Sequence, residues 1–383
     1  MEARTITRDP ATVQRAPLVI RRVDAIPVAL PLRNPMKMAG VTITHADNVL
    51  VRAEASDGTV GGGEAASAPT MTGDTRGGLV AAVRDHLAPL LAGKDAWTRP
   101  ALGRTLRAAL IGNTGAHSAI EMALLDLAGR AAGVPVIELI GGARRREVAP
   151  MWLLGHATAD EDIAEAHAKE KQGFRFFKLK VATKPLERDI AGTLALRAAL
   201  GAAVPLCTDA NGGFTLAAAQ RYVEATREAK LLFLEQPLTS DREGLAALTR
   251  VSPIPIGADE DVHSLADIET LAASGAGGVS LKLIKLGGFS GALEAAALCE
   301  RRSLSVNVAA KVAESSIASA AVVHLACTVP TIDWGVSLTH FYLAEDIVKK
   351  PLALRDGVVT LPDGPGLGVT VDEAAVERFR VRP

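Results

Sequence analysis

Several features that define other classes of protein are scarce in this chain of 383 residues. Aromatic residues make up 3% of it, and the formal net charge is −1 at pH 7. Surfaces that bind nucleic acids need basic patches and stacking rings, so this composition argues against nucleic acid as a partner. No apolar run approaches the roughly 18 residues of a membrane-spanning helix. We therefore expect a soluble protein with no membrane partner.

Cysteine is also rare. The three cysteines, Cys207, Cys299 and Cys327, are widely spaced and form no C-x-x-C pair. This pattern argues against a disulfide framework and a structural zinc site, and it favours a reducing cytoplasm. Residues 1–17 lack the apolar segment of a secretory signal, so we predict a disordered tail there.

The chain does contain enough apolar material for two cores, since 48% of its residues are hydrophobic. Residues 18–145 begin with strand-like segments and continue with Ala- and Leu-rich helical ones, which predicts an α+β domain. Over residues 146–355, eight short apolar runs alternate with amphipathic segments. This rhythm favours a (β/α) barrel, with a doubly wound sheet as the alternative. Residues 356–383 are predicted to pack back on the first domain.

Three carboxylates end short apolar runs at nearly even spacing. Asp209 follows V-P-L-C-T, Glu235 follows L-L-F-L, and Asp259 follows I-P-I-G-A. The carboxyl ends of barrel strands meet on one face, so we expect the three acids to converge there. Each acid alone could be a loop cap or a surface charge, but three together would repel one another without a cation. Carboxylates without clustered histidines suit Mg²⁺, or Mn²⁺, better than zinc.

Lysines flank these acids on both sides. Lys178 and Lys180 lie two residues apart on one predicted strand and so share a face, while Lys282 lies on the sixth strand, opposite the second. We expect crowding and partial burial to lower the pKa of the lysine pair toward neutrality, which would make a competent base. The alternative is a pair that reaches solvent at the barrel mouth. Lys285 is predicted to be a loop or helix-start charge.

A metal flanked by two bases suits one kind of chemistry. A carboxylate bound to a divalent cation has a more acidic α-proton, because the cation and Lys178 stabilise the enolate that forms. A substrate between the second and sixth strands would offer one face to Lys180 and the other to Lys282. The residues therefore predict abstraction of a proton α to a carboxylate.

These motifs resemble the enolase superfamily, and in particular its muconate lactonizing enzyme subgroup. The motifs are K-x-K from Lys178, D-A-N from Asp209, E-Q-P from Glu235, A-D-E from Ala258, K-L-I-K-L-G-G from Lys282, G-x-G-E from Gly61 and A-x-x-D-x-x-G around Asp126. The resemblance implies an α+β capping domain, completed by the C-terminal tail, over a modified (β/α)7β barrel. It also implies one Mg²⁺ on the three acids, Lys180 and Lys282 as the acid/base pair, and Lys178 as their electrostatic partner.

Substrate choice in this family is implied to depend on a capping-domain loop, here residues 32–45, and on the ends of the seventh and eighth barrel strands. The residues expected to support the metal ligands or to contact substrate are Asn211, Glu260, Lys311, Ser337, Thr339 and His340. Lys311 would bind a second substrate carboxylate or polar group, or would be a solvated rim charge. Further candidates for substrate contact or shielding are Met36, Lys37, Met38 and His156.

Two expected signatures are missing near the eighth strand. The D-x-D of dipeptide epimerases is absent there, and the glutamate that muconate cycloisomerases carry nearby is not evident, which argues against muconate as the substrate. We predict a Mg²⁺-dependent isomerase that racemises, epimerises or cycloisomerises a small carboxylic acid, as a cytoplasmic homo-oligomer. β-Elimination from the same enolate is the alternative, and a barrel that only binds ligand is a remote one.

Overall fold

The computed structural model describes residues 16–38, 41–155 and 158–382, with only the backbone described at 37, 38 and 41. The predicted tail is therefore almost entirely outside the described residues, as are His156 and the side chains of Lys37 and Met38. Within these ranges, no helix has the length and apolar character needed to cross a membrane.

The N-terminal part of the chain is an antiparallel sheet covered by helices. Its strands, in sheet order, are β1 (Ile20–Met38), β2 (Val41–Ala55) and β3 (Val60–Ala66). Its helices are α1 (Arg76–Ala81), which continues through a π-helical segment (Ala82–Leu87) into α2 (Ala88–Leu91), then α3 (Arg99–Ala109), α4 (Thr114–Ala132) and α5 (Val136–Leu139).

Two glycines of the G-x-G-E motif let α4 approach β3 closely. A Cβ atom at Gly61 would lie 2.2 Å from the carbonyl oxygen of Ala123, and one at Gly63 would lie 2.0 Å from that of Ala119. No other residue type fits such a contact without moving the backbone. The motif therefore packs the helix on the sheet and fixes where Glu64 lies.

The rest of the chain forms a nearly closed parallel barrel. Its strands, in order around the sheet, are β5 (Met151–Leu154), β6 (Phe176–Lys180), β7 (Leu206–Asp209), β8 (Leu234–Glu235), β9 (Ile256–Ala258), β10 (Gly278–Leu281), β11 (Ser305–Ala309) and β12 (Val336–Ser337). A parallel bridge between Pro150 and Val336 joins the last strand to the first. The predicted barrel is confirmed, and the doubly wound alternative is wrong.

Helices follow the barrel strands on the outside. They are α6 (Ala159–Lys171), α7 (Leu186–Leu200), α8 (Leu216–Ala225), α9 (Arg242–Val251), α10 (Leu265–Ala273), α11 (Leu283–Leu286), α12 (Phe289–Arg301) and α13 (Ser316–Thr328). Capping side chains of Thr158, Thr215, Asp241 and Ser264 accept backbone N–H groups at the starts of α6, α8, α9 and α10. Such caps satisfy otherwise unpaired donors and fix where each helix begins.

The C-terminal segment returns to the first domain. Strand β13 (Val359–Thr360) pairs with β4 (Glu147–Val148). Helix α14 (Glu373–Phe379) follows, and a bridge then joins Arg380 to Val28 of β1. The Asp126 carboxylate accepts the N–H groups of Gly62 and Leu367, so one buried acid joins β3, α4 and the tail. The predicted completion of the capping domain by the tail is confirmed, while the domain limits at 145 and 355 stay predictions.

Aromatic packing fills the amino-terminal end of the barrel. Phe233 and Trp334 stack with their ring centroids 4.2 Å apart. Cβ atoms at Gly257 and Gly278 would lie 2.6 Å and 2.7 Å from the Trp334 ring, so glycine is required beside it. The amino-terminal end of the barrel is therefore filled by apolar rings, and the polar residues lie at the opposite, carboxyl ends of the strands, at the barrel mouth.

Candidate active site

A cavity of about 640 Å³ lies at the barrel mouth, between the barrel and the capping domain. Residues 42–47 and 67–71 of the capping domain line one side, and the carboxyl ends of the barrel strands line the other. The predicted residues that line it are Lys178, Lys180, Asp209, Asn211, Glu235, Asp259, Glu260, Lys282, Lys311, Ser337 and Thr339. A mainly apolar cleft with a few convergent charged groups is the usual form of a small-molecule site.

Strand register places the first of these charges in a row. On β6, Lys178 and Lys180 face the cavity, while Phe177 and Leu179 belong to the hydrophobic core between barrel and helices. Lys180 pairs in register with Asp209 on β7, and Asp209 pairs with Glu235 on β8. Alternation along one strand and pairing across three strands therefore bring these side chains together.

Each of the three acids is bonded to a lysine. Lys180 Nζ lies 2.5 Å from Asp209 Oδ2, Lys178 donates to Glu235, and Lys282 donates to Asp259. All of these side chains are buried. We call Lys178, Lys180, Asp209, Glu235, Asp259, Lys282 and Lys285 the ion-pair cluster.

The predicted lowering of the lysine pKa is wrong for Lys178. Burial is the largest single influence on its pKa and lowers it, but the charges of Glu235 and Asp209 and the hydrogen bond to Glu235 together outweigh burial, and the net pKa is raised. The pKa of Lys282 is also raised, because the charges of Asp259, Glu260 and Glu235 and the hydrogen bond to Asp259 together outweigh burial. The prediction considered the lysines by themselves, whereas an opposite charge within hydrogen-bonding distance favours the charged form.

Lys285 was predicted to be a loop or helix-start charge, and it lies in the short helix α11, where it belongs to the ion-pair cluster. It is fully buried, and its Nζ lies 2.7 Å from Asp259 Oδ1 and 3.1 Å from the carbonyl oxygen of Ser280. Helix α11 starts directly after β10. Lys285, three positions beyond Lys282, therefore lies in the first turn after the strand, and its side chain returns to the strand ends. Lys282 and Lys285 together hold the pKa of Asp259 far below its usual range, although burial alone would raise it.

Asn211 and Glu260 support the cluster from its edge. Asn211 Nδ2 donates to Glu260 Oε1 over 2.8 Å, and the Asn211 backbone N–H donates to Asp209 Oδ1 over 2.9 Å. Lys180 also donates to the Asn211 side chain. Burial, with the nearby Asp259 charge, raises the pKa of Glu260 to about 7. Asn211 thus orients both an acid and a lysine of the cluster.

His340 does not line the cavity, so the prediction that it contacts substrate is wrong. Its ring packs at a tilt against that of Phe341, with the centroids 4.0 Å apart, and its Nε2 lies 3.0 Å from the carbonyl oxygen of Leu352. Burial lowers the pKa of this imidazole to about 4. Met36 is also buried away from the cavity, and Met71 lines it instead, with Sδ 3.8 Å from Lys282 Nζ.

Two buried carboxylates that the sequence reading missed lie behind the seventh strand, where the capping domain meets the barrel. We call Glu64 and Glu314 the seam acids. Glu64 accepts N–H groups of Ser315 and Ala318 at the start of α13. Glu314 accepts the Lys311 N–H over 2.9 Å. The signal for Glu314 was a lone acid between an apolar strand and the S-S-I start of a helix.

Neither seam acid has a cation within 4 Å in the described part of the chain. Burial raises the pKa of Glu64 to about 6 and that of Glu314 to about 8, and the Glu64 charge adds to the rise at Glu314. Glu314 is consequently mostly protonated at neutral pH.

The three carboxylates are suited to a hard divalent cation, although their oxygens do not yet converge on one point. Three buried carboxylates lie at the ends of β7, β8 and β9, and the charges of Asp209 and Asp259 add to burial in raising the pKa of Glu235. Among the described residues no three acidic, histidine or cysteine side chains converge into a metal site, because lysines hold the carboxylate oxygens. Carboxylate oxygens are the ligands that Mg²⁺ prefers.

Fold and site together define the enolase type of barrel enzyme, and comparison with known families agrees. Residues 161–375 match the family described as "Enolase C-terminal domain-like". Residues 12–141 match "Mandelate racemase / muconate lactonizing enzyme, N-terminal domain". This chain belongs to the mandelate racemase/muconate lactonizing enzyme family.

Relatives align over nearly their whole length. Muconate cycloisomerase 1 of Pseudomonas putida is 36% identical, over 95% of this chain and 99% of that protein. A chloromuconate cycloisomerase of Cupriavidus pinatubonensis is 32% identical, over 94% of this chain and 98% of that protein. A solved muconate lactonizing enzyme from Pseudomonas fluorescens, complexed with muconolactone, superposes with a TM-score of 0.92 at 32% identity, over 96% of this chain and 100% of that one. The predicted family and the predicted isomerase class are confirmed.

Proposed function

We propose that this protein is a Mg²⁺-dependent cycloisomerase of a small unsaturated carboxylic acid. The observation that carries the proposal is the placement of Lys180 and Lys282 at the same mouth, on β6 and β10, four strands apart in the eight-stranded barrel. The two lysines therefore approach the cavity from opposite sides. Bases on both sides of a substrate allow a proton to leave or join its α-carbon from either face.

Asp209, Glu235 and Asp259 would hold the metal. When bound, the cation would polarise a substrate carboxylate and make the adjacent C–H more acidic. Its charge would replace that of the ammonium groups that now occupy the carboxylate oxygens. Lys178, Lys180 and Lys282 would then be free to turn toward the substrate.

The lysines would carry the proton chemistry. In a cycloisomerisation, a carboxylate oxygen of the substrate forms a bond to the β-carbon, and the electron pair of the double bond moves toward the α-carbon. Lys180 or Lys282 then donates its proton to the α-carbon, and the reverse reaction returns it. Lys178 would stabilise the negative charge that develops on the substrate carboxylate, since it lines the cavity and donates to the metal-ligand candidate Glu235.

Muconate is the first substrate to test, because the relatives at 36% and 32% identity are named as muconate and chloromuconate cycloisomerases. Glu314 lies at the seam and does not line the cavity, so the missing glutamate near the eighth strand makes muconate a substrate to test against chloromuconate. The cavity of about 640 Å³ is large enough for a substrate of this size.

The test is incubation of the purified protein with Mg²⁺ and muconate in D2O. We expect loss of the diene absorbance and a lactone carrying one deuterium on the α-carbon by NMR. Removal of Mg²⁺ with EDTA should abolish turnover, and Lys350→Met, at an exposed surface position, should not. Absence of lactone from muconate and from chloromuconate would contradict the proposal.

A further inference from the structure

Lys311 differs from the other buried lysines in that its ammonium group forms no ion pair with a described acid. The buried lysines of the described chain are Lys178, Lys180, Lys282, Lys285 and Lys311. The first four each form an ion pair with an acid of the cluster. Lys311 Nζ has one described partner, the carbonyl oxygen of Val312 at 2.9 Å. An ammonium group has three donors, so two of them remain available on the cavity side.

The backbone of Lys311 is firmly held. Glu314 Oε2 accepts its N–H over 2.9 Å, and Thr339 Oγ1 donates to its carbonyl oxygen over 2.7 Å. The N–H of Glu314 in turn donates to Thr339 Oγ1 over 3.1 Å. These three buried bonds join the ends of β11 and β12, so the Lys311 side chain starts from a fixed position at the cavity wall. A group held in this way loses little freedom when it binds a ligand.

The position of Lys311 in the barrel separates it from the acids. Asp209, Glu235 and Asp259 occupy the ends of β7, β8 and β9, whereas Lys311 follows β11. The cavity lining from β11, β12 and β5 is otherwise neutral among the described residues, and it includes Leu153, Val312, Ser337, Leu338 and Tyr342. The cavity therefore has an anionic side able to hold a cation, and a neutral side with a single positive charge.

An unpaired buried charge is costly unless a ligand satisfies it. Burial, together with the nearby charge of Lys282, lowers the pKa of Lys311 to about 8, so most of the group still carries its proton at neutral pH. An anion bound beside it would offset the cost of burial. Water or a neutral ligand would offset less, because charge-assisted hydrogen bonds are about twice as strong as neutral ones.

We infer that Lys311 binds a second carboxylate of the substrate and thereby makes the site selective for dicarboxylates over monocarboxylates. This inference rests on the proposed function, which places the first carboxylate at the acids of β7, β8 and β9. Lys311 then binds the end of the substrate that is remote from these acids. Thr339 and Glu314 are positioning residues for it.

The test is binding of two inert acids of equal chain length, adipate and hexanoate, by calorimetry in the presence of Mg²⁺. We expect the wild-type protein to bind adipate at least 10-fold more tightly than hexanoate. Lys311→Met should weaken adipate binding at least 10-fold and leave hexanoate binding within about threefold. Lys311→Arg, which keeps the charge, should retain most of the preference, and Lys350→Met is the surface control.

Methionine fills a similar volume and removes an unpaired buried charge, so we expect the thermal unfolding midpoint of Lys311→Met to be no lower than that of wild type. An unchanged adipate affinity in Lys311→Met would overturn the inference, as would a wild-type protein that binds the two acids equally or binds neither. Turnover of muconate is measured separately. If muconate is not converted but the adipate preference depends on Lys311, the proposed reaction fails and the substrate class stands.

Discussion

The ion-pair cluster and the seam acids contain the same kinds of buried carboxylate in opposite electrostatic situations. In the cluster, Asp259 contacts two ammonium groups, and its pKa is far below the usual range. At the seam, Glu314 contacts only N–H groups and has a pKa raised to about 8. The difference shows that burial raises the pKa of an acid, and that two ammonium groups within hydrogen-bonding distance can reverse this effect at Asp259.

This contrast separates two roles. In the cluster, each carboxylate is paired with a lysine. A metal ion could replace the lysine at the carboxylate, and the lysine could then contact the substrate, which suits proton transfer. The seam acids hold the start of α13 and the Lys311 loop against the capping domain. Changes in the cluster should therefore alter chemistry, while changes at the seam should alter stability and its dependence on pH.

The largest effect is expected for the two lysines on opposite sides of the cavity. Of Lys180→Met and Lys282→Met, the variant that removes the proton donor to the α-carbon should lower kcat for muconate by roughly 10³-fold. Steady-state kinetics with saturating Mg²⁺ gives the measurement, with Lys350→Met as the control. If both variants kept more than a tenth of wild-type kcat, the two-sided mechanism would be wrong.

The two lysines bonded to Asp259 should separate stability from catalysis. Lys285→Met removes a fully buried partner and should lower the free energy of unfolding by roughly 3 kcal/mol. Lys282→Met should cost less stability, because Lys282 borders the cavity and the vacated space is open to water. Urea denaturation at pH 7 compares the two. Equal losses of unfolding free energy in the two variants would show that water in the cavity does not stabilise the Asp259 carboxylate left without Lys282.

Binding of Mg²⁺ should stabilise the protein through the three acids. At a concentration 100 times its Kd, the cation should add about 2.7 kcal/mol to the free energy of unfolding. Asp209→Asn and Glu235→Gln should abolish this increment, while Glu138→Gln, at an exposed position, should retain it. Thermal melts over a Mg²⁺ series test this. Retention of the increment by both cluster variants would place the metal elsewhere.

The smallest effect is expected at the seam. The folded-state pKa of Glu314, about 8, is above its value of 4.5 without the fold, so the folded protein retains a proton that the unfolded chain releases. Its stabilising contribution is complete below pH 4.5 and is lost as pH rises toward 8. Glu314→Gln should remove this loss and make the variant more stable than wild type at pH 8.

Urea denaturation at pH 5, 6.5 and 8 gives the comparison for Glu314→Gln, with Glu138→Gln as the control. The curves of free energy against pH should converge at pH 5 and separate at pH 8. Parallel curves for the variant and wild type would mean that Glu314 is ionised in the folded protein.

Much of the fold and of the cluster was predictable from local patterns. The period of two along β6 placed Lys178 and Lys180 on one face, and the apolar runs marked the strands whose ends carry the acids. Lys285 was missed because its direction depends on the point where α11 begins, which no periodicity records. The seam was missed because Glu64 and Ser315 are 251 residues apart in the chain.

The sequence by itself determined which residues end the barrel strands and which face of each strand they occupy, because side-chain alternation is a property of the local backbone. Only the tertiary structure decided which charges are paired. Lys178 and Lys282 have raised pKa values, Glu314 has a pKa near 8, and the Lys311 ammonium group forms no ion pair among the described residues. Coulomb energies depend on distance and burial, and both are set when separate strands and domains meet.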